Sequence, residues 1–472
     1  MALVAATCAS AVWCAFGAGD ALLHHKLLKR TLRQRPQYRN AFGRKQGIEE
    51  RLRDASRRTN VTILNWFDNG YYGHPGTYDC KLGQCTITSD RSKLHAPDTH
   101  GVWFYGPHVA DWVASSKITQ LPLPRARRHQ WILENDESPC FYGRMMTVRA
   151  FRQLFNHSAT FDAGSTWPLW PRQHGLRSQK SLDEFFTERP AVPLAEKNRL
   201  RHASDPKKRR APVVFVQSNC NAENGRDLFV KELMKHVEVD SYGRCLNNRP
   251  WPDKGKGNWM DQNRDSWFFD FLAGYKFALS VENCFCHQYV TEKFFRPLHL
   301  GVVAVYGGDA SGDGGTVSQW SPGLPGRSGV IDVHNYRDAE ALAAQILALD
   351  RNDSAYEEQL SYKREGVTNP ALLQRWRDHG PLEGGRHGSV CRVCDRVLQH
   401  AIEDPDGKLS TDGKRNVDIE TISDELMKCL PPAKPWLPGA QREERLSATK
   451  AQELNRLIWA QRRSAKIVHT AE

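Results

Sequence analysis

One stretch near the middle of the chain, residues 275–308, has the pattern of a complete β-α-β unit. Residues 276–281 form a short apolar run that suits a buried parallel strand. Residues 291–300 carry apolar side chains at helical spacing, with Thr291 as the N-cap and a glycine at the end. The apolar run at 302–306 predicts the next buried strand. This part of the chain is therefore predicted to form a parallel α/β sheet.

Polar residues crowd the place where a ligand of such a unit binds. Ligands of parallel α/β sheets lie beyond the carboxyl ends of the strands, near a helix N-terminus. The polar residues predicted there are Glu282, Asn283, Tyr289, Glu292 and Lys293. A lysine in the first turn is unusual, because the helix dipole disfavours cations at that end. An anion held between Lys293 and the helix end would explain it; the alternative is a solvated face with chance charges.

The run from Val281 to Gly308 resembles the donor-binding signature of the α-1,3-fucosyltransferases, which are inverting, GDP-fucose-dependent glycosyltransferases. The match includes the Glu-Asn pair, the Tyr-Val-Thr-Glu-Lys run and the closing Gly-Val-Val…Gly at the family's spacing. It departs at Val281, Gln288 and Ala304, where the family has Phe, Asp and Pro. A match of this length is far more specific than a short glycine-rich motif.

The resemblance implies an α/β fold of the GT-B type, with two Rossmann-like domains facing a central cleft. We expect a signal-anchor and basic stem at 1–58, an acceptor-side domain at 59–205, a GDP-fucose-binding domain at 206–400 and a charged, partly helical tail at 401–472. The stretch 165–210 is rich in Pro, Arg and Lys and lacks periodicity. That composition predicts a loop followed by the interdomain linker.

A second motif, Glu-Ser-Pro at 137–139, follows a predicted strand at 131–133. It resembles the Glu-Ser-Pro of the same family, whose glutamate is taken as the catalytic base, and so implies that role for Glu137. Glu134 and Asp136 are the competing carboxylates nearby. Taken alone, a glutamate in a loop is most often a solvated surface residue.

The opening of the second domain, residues 212–245, predicts a strand, a helix and another strand, and resembles the family pattern with Asn219, Arg226 and Tyr242 in register. The residues implied as donor ligands are Asn219, Arg226, Tyr242, Asn283, Tyr289, Glu292 and Lys293. Arg226, like Lys293, is a cation in the first turn of a predicted helix. The two together predict a clamp on the diphosphate.

No metal site and no obligatory cofactor are predicted, because fixed cations would replace a metal at the diphosphate. Asp309 and Asp313 lie in a glycine-rich loop, where they are expected to be solvated, and stimulation by Mn²⁺ stays open. Cys391 and Cys394 form a Cys-x-x-Cys, but a zinc site needs a second pair, so a structural disulfide role is favoured. Cys80 and Cys85 are a candidate short-range disulfide.

The N-terminal stretch 2–18 is apolar and resembles a signal-anchor or signal peptide. The basic cluster that begins at Lys26 follows this stretch, the reverse of the positive-inside rule for a lumenal C-terminal part. Acceptor sequons at Asn60, Asn156 and Asn352 predict N-glycosylation. With twelve cysteines, these features favour the secretory pathway. The resemblance implies a type II Golgi membrane protein with a lumenal catalytic part.

The net charge of +12 favours anionic partners in general. However, the basic residues lie mainly in two runs, 26–58 and 197–210, and the sequence carries no nucleic-acid-binding motif. Such runs are usually solvated linkers, so no nucleic acid is predicted as a partner.

The resemblance implies inverting transfer of L-fucose from GDP-β-L-fucose to a GlcNAc hydroxyl of a glycoprotein glycan, giving an α-1,3 linkage. Glu137 would be the base, and Arg226 with Lys293 would stabilise the departing diphosphate. The implied partners are GDP-fucose, a glycan or glycoprotein acceptor and the Golgi membrane. Core N-glycan GlcNAc and terminal N-acetyllactosamine are both compatible acceptors. The alternatives are a GT-B transferase that uses another nucleotide sugar, and a catalytically inactive lectin-like or scaffold homologue.

Overall fold

A computed structural model shows two α/β sheets, and the residues from Asn60 onward form one unit. The described residues are 59–67, 75–115, 117–139, 148–161, 165–166, 182–187, 190–220, 222, 224–252, 266–309, 315–324, 327–379, 386–405 and 429–430. The predicted signal-anchor, the basic stem and most of the C-terminal tail lie outside these ranges. Within them, no helix is both long enough and apolar enough to cross a bilayer.

The first sheet has the strand order β2-β3-β1-β4-β5-β6, and all its pairings are parallel except that of β2 with β3. Its strands are β1 (Asn60–Asn65), β2 (Gly76–Cys80), β3 (Gly83–Thr88), β4 (Thr99–Tyr105), β5 (Gln130–Asn135) and β6 (His157–Thr160). The associated helices are α1 (Gly106–Ala114) and α2 (Arg149–Arg152). The strands predicted at 61–67, 101–105 and 131–133 are confirmed, with ends that differ by a few residues.

The second sheet is entirely parallel, with the order β12-β11-β9-β7-β8. Its strands are β7 (Val213–Gln217), β8 (Val239–Gly243), β9 (Phe277–Val281), β11 (Val303–Gly307) and β12 (Val330–Asp332), while β10 (Phe285–Cys286) pairs with β13 (Cys429–Leu430). The strand order reverses between β7 and β9, and such a switch point is where doubly wound sheets bind ligands. The predicted α/β fold with two Rossmann-like domains, the GT-B type, is confirmed.

The helices of the second half follow the predicted alternation with strands. They are α3 (Leu182–Thr187), α4 (Leu194–Arg201), α5 (Arg226–Leu233), α6 (Ser266–Ala273), α7 (Glu292–Leu300), α8 (Gly315–Trp320), α9 (Ala339–Arg351), α10 (Asp353–Gln359), α11 (Tyr362–Glu365), α12 (Pro370–His379) and α13 (Arg386–Glu403). The glycine-rich loop predicted around Asp309 and Asp313 is followed by a short helix, α8, whose Trp320 is buried. Thr291 caps α7 as predicted, because its side chain accepts a hydrogen bond from the Lys293 backbone N–H.

The stretch predicted as loop and linker contains two helices, so this part of the prediction is wrong. Leu182 and Phe186 of α3 are buried in the core of the second sheet. Lys197 of α4 is also buried, and its Nζ donates to the carbonyls of Tyr275 at 2.8 Å and Gly301 at 2.7 Å. An ammonium group can be buried here because backbone oxygens replace its water. Helices α3 and α4 therefore pack with the second sheet, although they precede residue 206.

The last helix, α13, returns to the first sheet and crosses the predicted domain boundary. Val393 and Val397 pack with Val61 and Ile63 of β1 in one buried cluster. The helix is also covalently joined to this sheet through two disulfides, Cys80–Cys391 and Cys85–Cys394. The disulfide role predicted for Cys391 and Cys394 is confirmed, whereas a bond between Cys80 and Cys85 is wrong. Helix α13 therefore packs against the first sheet and is bonded to it, although it follows the second sheet in the sequence.

Candidate active site

Glu137 lies two residues beyond β5, at the carboxyl edge of the first sheet. Its Oε1 accepts hydrogen bonds from the hydroxyl of Tyr289 at 2.7 Å, from Nδ2 of Asn283 at 2.9 Å and from the backbone N–H of Ser138 at 2.7 Å. Asn135 supports the turn by donating from Nδ2 to the Glu137 carbonyl at 2.8 Å. Three donors on one oxygen stabilise the ionised carboxylate and leave Oε2 for another partner.

Asn283 and Tyr289 belong to the second sheet, in the loop between β9 and α7. Their bonds to Glu137 therefore connect the carboxyl edges of the two sheets, as the predicted cleft requires. Tyr289 is buried against Phe161, and burial next to Glu137 raises its pKa well above the ordinary value. The phenol is thus neutral and acts as a donor. Within the described part of the chain, the buried Oδ1 of Asn283 has no hydrogen-bond partner.

The two competing carboxylates have other structural roles. Glu134 is buried in β5, where its Oε2 accepts a 2.6 Å hydrogen bond from the indole N–H of Trp103 on the neighbouring strand. Asp136 accepts a 3.2 Å hydrogen bond from the hydroxyl of Tyr105. Of the three, Glu137 is the one bonded to both motif residues of the second sheet.

The anion expected at the start of α7 is a residue of the chain itself, Glu282. Its fully buried carboxylate accepts bonds from the backbone N–H and the hydroxyl of Thr291, both at 2.9 Å. The Lys293 Nζ lies 3.5 Å from Glu282 and 3.2 Å from Glu292. Burial raises the pKa of Glu282, and the charge of Lys293 opposes that rise. Glu282 therefore neutralises the helix end and Lys293 in this structure.

Lys293 responds to the same surroundings in the opposite sense. Partial burial by itself lowers its pKa, but the carboxylates of Glu292 and Glu282 outweigh this effect, and the pKa is raised. The ammonium group is thus held charged at the N-terminus of α7, where a lysine is otherwise disfavoured. The two carboxylates therefore explain why a lysine is tolerated in the first turn of α7.

Arg226 is the second predicted cation and is almost fully buried in the first turn of α5. Its guanidinium donates to the carbonyl of Val281 at 3.2 Å and to that of Asn219 at 2.7 Å. It therefore braces the ends of β7 and β9 at the switch point. The buried Nε has no hydrogen-bond partner among the described residues. An acceptor from a ligand would satisfy this N–H group.

The contacts of Tyr242 are those of a core residue and do not support its prediction as a donor ligand. The side chain is buried with Trp251 and Phe271, and its hydroxyl bonds that of Tyr275 at 3.0 Å. Tyr242 is thus a core residue, with its polar tip satisfied by another tyrosine. Asn219, in contrast, is exposed just after β7, and its assignment as a donor ligand stays a prediction.

Two features of the site were missed by sequence reasoning. Asn224 is buried, donates to the Glu282 carbonyl at 2.8 Å and accepts from the Arg226 backbone N–H at 3.3 Å, so it joins the loops after β7 and β9. The disulfide Cys220–Cys245 joins the loops after β7 and β8. The only sequence signal for Asn224 was its position just before a helix. No local sequence pattern indicated the Cys220–Cys245 disulfide.

The predicted glycosylation sites differ in exposure. Asn156 is buried, and its Oδ1 accepts hydrogen bonds from the Trp131 backbone N–H at 2.9 Å and from Arg125. A glycan there would disrupt these contacts, which contradicts the prediction. Asn60 and Asn352 are exposed, and both stay predictions.

The family model described as glycosyltransferase family 10 (fucosyltransferase) C-term matches residues 206–406, and the model for the fucosyltransferase N-terminal domain matches residues 58–169. Together they match more than half of the chain. The chain belongs to glycosyltransferase family 10, the fucosyltransferases.

Among curated relatives of this fucosyltransferase, GDP-fucose protein O-fucosyltransferase 3 from Gallus gallus is 36% identical over 74% of this chain and 68% of its own. The Homo sapiens protein of the same name is 35% identical over 78% of this chain and 72% of its own. A crystal structure of an alpha1,3-fucosyltransferase with GDP matches with a TM-score of 0.42 and 15% identity, covering 72% of this chain and 90% of that one.

As a family 10 fucosyltransferase, the protein uses GDP-fucose as its donor substrate. The orphaned Nε of Arg226 and Oδ1 of Asn283 fit such a polar ligand, because they are a buried donor and a buried acceptor at the ligand-binding edge of the second sheet. The described residues contain no group of three or more His, Cys, Asp or Glu side chains placed to hold a metal ion. Stimulation by Mn²⁺ stays open.

Proposed function

We propose that this fucosyltransferase transfers L-fucose from GDP-β-L-fucose, with inversion, to a hydroxyl group on the polypeptide of a glycoprotein. The convergence of Asn283, Tyr289 and the Ser138 N–H on one carboxylate oxygen of Glu137 is the observation that carries the catalytic part of the proposal. The polypeptide acceptor is supported by relatives named protein O-fucosyltransferases that are about one-third identical to this chain.

In this mechanism Glu137 is the general base. Its Oε2 accepts the proton of the acceptor hydroxyl as the oxygen attacks C1 of fucose, and the C1–O bond to the diphosphate breaks with GDP as the leaving group. Asn283 and Tyr289 hold Oε1, so that the carboxylate is fixed in orientation while Oε2 faces the acceptor. General bases of this kind contribute about 10²–10⁴-fold in rate.

The leaving diphosphate would be stabilised at the switch point between β7 and β9. The N-termini of α5 and α7 converge on this edge, and Arg226 and Lys293 lie in their first turns. Backbone N–H groups and a nearby cation are the usual partners of a diphosphate at such a position. Glu292 and the exposed Asn219 would contact the nucleotide.

The second candidate acceptor is a GlcNAc hydroxyl of a glycan, with formation of an α-1,3 linkage. It is supported by the donor motif at 281–308, which resembles that of the α-1,3-fucosyltransferases. The donor site and the base would be the same in both reactions, so the two candidates differ only in what fills the acceptor side of the cleft.

We further propose that the reaction takes place in the lumen of the secretory pathway, with the protein held in the Golgi membrane by residues near its N-terminus. Three disulfides, Cys80–Cys391, Cys85–Cys394 and Cys220–Cys245, support an oxidising compartment. Retention of the full-length protein in Golgi membranes after carbonate washing would test the anchor, and its release into the wash would reject it.

The experiment that tests the acceptor uses secreted glycoproteins from cells unable to make GDP-fucose. The full-length protein is incubated with these glycoproteins and radiolabelled GDP-fucose. Under the favoured proposal, alkaline β-elimination in the presence of borohydride releases the label as fucitol, because a fucose linked directly to Ser or Thr is freed by the base and its aldehyde is then reduced by the borohydride. Label that instead stays with N-glycans would support the GlcNAc acceptor and reject the polypeptide acceptor.

A further inference from the structure

The donor motif contains two disulfide-bonded cysteines whose partners are not given by the three disulfides described above. Cys284 and Cys286 are both disulfide-bonded. The three disulfides already named use six of the twelve cysteines in the chain. The remaining six are Cys8, Cys14, Cys140, Cys284, Cys286 and Cys429.

The backbone register identifies a partner for one of them. Strand β10 pairs antiparallel with β13, and Cys286 stands directly opposite Cys429. Residues directly opposite in an antiparallel pair have Cα atoms about 4.5–5.5 Å apart. Disulfides span Cα separations of about 4.4–6.8 Å. We infer that Cys286 and Cys429 form a disulfide that tethers β13 to the donor motif.

The position of Cys286 links this tether to the candidate active site. Cys286 is fully buried against Tyr289 and Phe161. Asn283 and Tyr289, the two side chains that donate to Glu137, lie three residues before and three residues after Cys286. The tether holds the middle of the loop whose two ends orient Glu137. Its effect on the reaction rests on the proposed function, whereas the covalent bond does not.

The bond forms by oxidation of two thiols. The Cys286 and Cys429 thiols lose two protons and two electrons, and a protein disulfide of the secretory pathway accepts both by thiol–disulfide exchange and is itself reduced to a dithiol. Burial of Cys286 then protects the bond from further exchange.

Peptide mapping of the full-length protein tests the bond directly. Free thiols are alkylated, and the denatured, unreduced chain is digested with trypsin and chymotrypsin at mildly acidic pH, which suppresses exchange. Chymotrypsin cleaves after Phe285 and so separates Cys284 from Cys286. We expect a linked peptide that contains Cys286 and Cys429 and disappears on reduction. Linkage of Cys286 to any other cysteine, or a free Cys286 thiol, would overturn the inference.

The catalytic role is tested with Cys429→Ser. We expect kcat to fall about tenfold while the KM for GDP-fucose changes less than about threefold, because orientation of the base is lost and the cations of the donor site remain. The double variant Cys80→Ser/Cys391→Ser, which removes a disulfide on the first sheet, is the matched control and should retain kcat. An unchanged kcat in Cys429→Ser would reject the catalytic role. An inactive wild-type protein would reject the proposed function and leave the mapping result standing.

Discussion

The hydroxyl of Tyr289 donates a 2.7 Å hydrogen bond to Oε1 of Glu137, across 152 residues of sequence and between the two sheets. The tyrosine comes from the motif that follows β9, and the glutamate from the turn that follows β5. Each sheet thus contributes one partner of a hydrogen bond that links the two sheets. A change on either sheet should alter the same chemical step.

Glu137→Gln is expected to lower kcat about 10²–10⁴-fold, because the amide keeps the shape of the carboxylate and cannot accept the acceptor proton. GDP-fucose affinity, measured by calorimetry, should change less than about threefold. Glu238→Gln, which alters an exposed carboxylate paired with Arg201 and Arg209, is the matched control. Full activity of Glu137→Gln would exclude Glu137 as the base.

Tyr289→Phe is expected to lower kcat about ten- to a hundredfold. The ring and its contact with Phe161 remain, and only the donor to the Glu137 carboxylate is lost. A hydrogen bond to a charged group is worth about 1.5–3 kcal/mol, which corresponds to that range of rates. Steady-state kinetics and urea unfolding measured together separate this effect from a loss of stability. A kcat equal to that of the wild type would show that the bond does not support the reaction.

Lys293→Met is expected to reduce the free energy of unfolding by about 3 kcal/mol, because the buried carboxylate of Glu282 loses the cation 3.5 Å away. The double variant Glu282→Gln/Lys293→Met should recover most of this loss, since no buried charge is then left unpaired. Urea denaturation of the two variants provides the measurement. If the double variant is no more stable than the single one, the pairing of these two residues is not what stabilises α7.

The two disulfides that join α13 to the first sheet should be redundant. Each closes nearly the same loop, with sequence separations of 311 and 309 residues. Removing Cys80–Cys391 alone should therefore lower the free energy of unfolding only slightly, because Cys85–Cys394 still restricts the unfolded chain. Removing both disulfides should lower the free energy of unfolding by about 5–6 kcal/mol according to the loop-entropy relation. Thermal unfolding of serine variants that lack one disulfide or both measures the two losses; equal, additive losses would contradict this expectation.

Stability should fall as the pH is lowered below about 6.5, because the first sheet contains buried histidines. Burial lowers the pKa of His129 to about 3, with Arg128 and Arg125 adding to the effect. Burial likewise lowers the pKa of His157 to about 3, with Arg396 and His400 contributing. Between about pH 3 and 6.5 the unfolded chain binds protons that the folded chain does not, so unfolding is favoured by acid. Each histidine contributes about 1.4 kcal/mol per pH unit in that window.

The urea concentration at the midpoint of unfolding, measured from neutral pH to the acidic end of this window, checks how steeply stability depends on pH. His129→Gln should flatten it, whereas the exposed His95→Gln should not. A midpoint that does not vary with pH would mean that these histidines are protonated in the folded protein.

Local patterns predicted much of the second sheet. The apolar runs and the Thr291 N-cap were predicted from the sequence, since strand burial and helix capping involve residues a few positions apart. The same reasoning failed for α3 and α4. Their short apolar runs and the basic residues around them are typical of a linker. Only contact with the second sheet makes these two segments helical elements of the core.

The sequence by itself determined the class of sheet, the positions of most strands and helices, and the two motifs that meet in the cleft. Tertiary structure decided the pairing of Cys80 with Cys391, the use of Glu282 as the anion beneath Lys293, and the burial of Tyr242 and Asn156. The physical reason is range. Capping and periodicity act within a turn or a strand, whereas a disulfide, a buried ion pair or a core contact depends on the path of the whole chain.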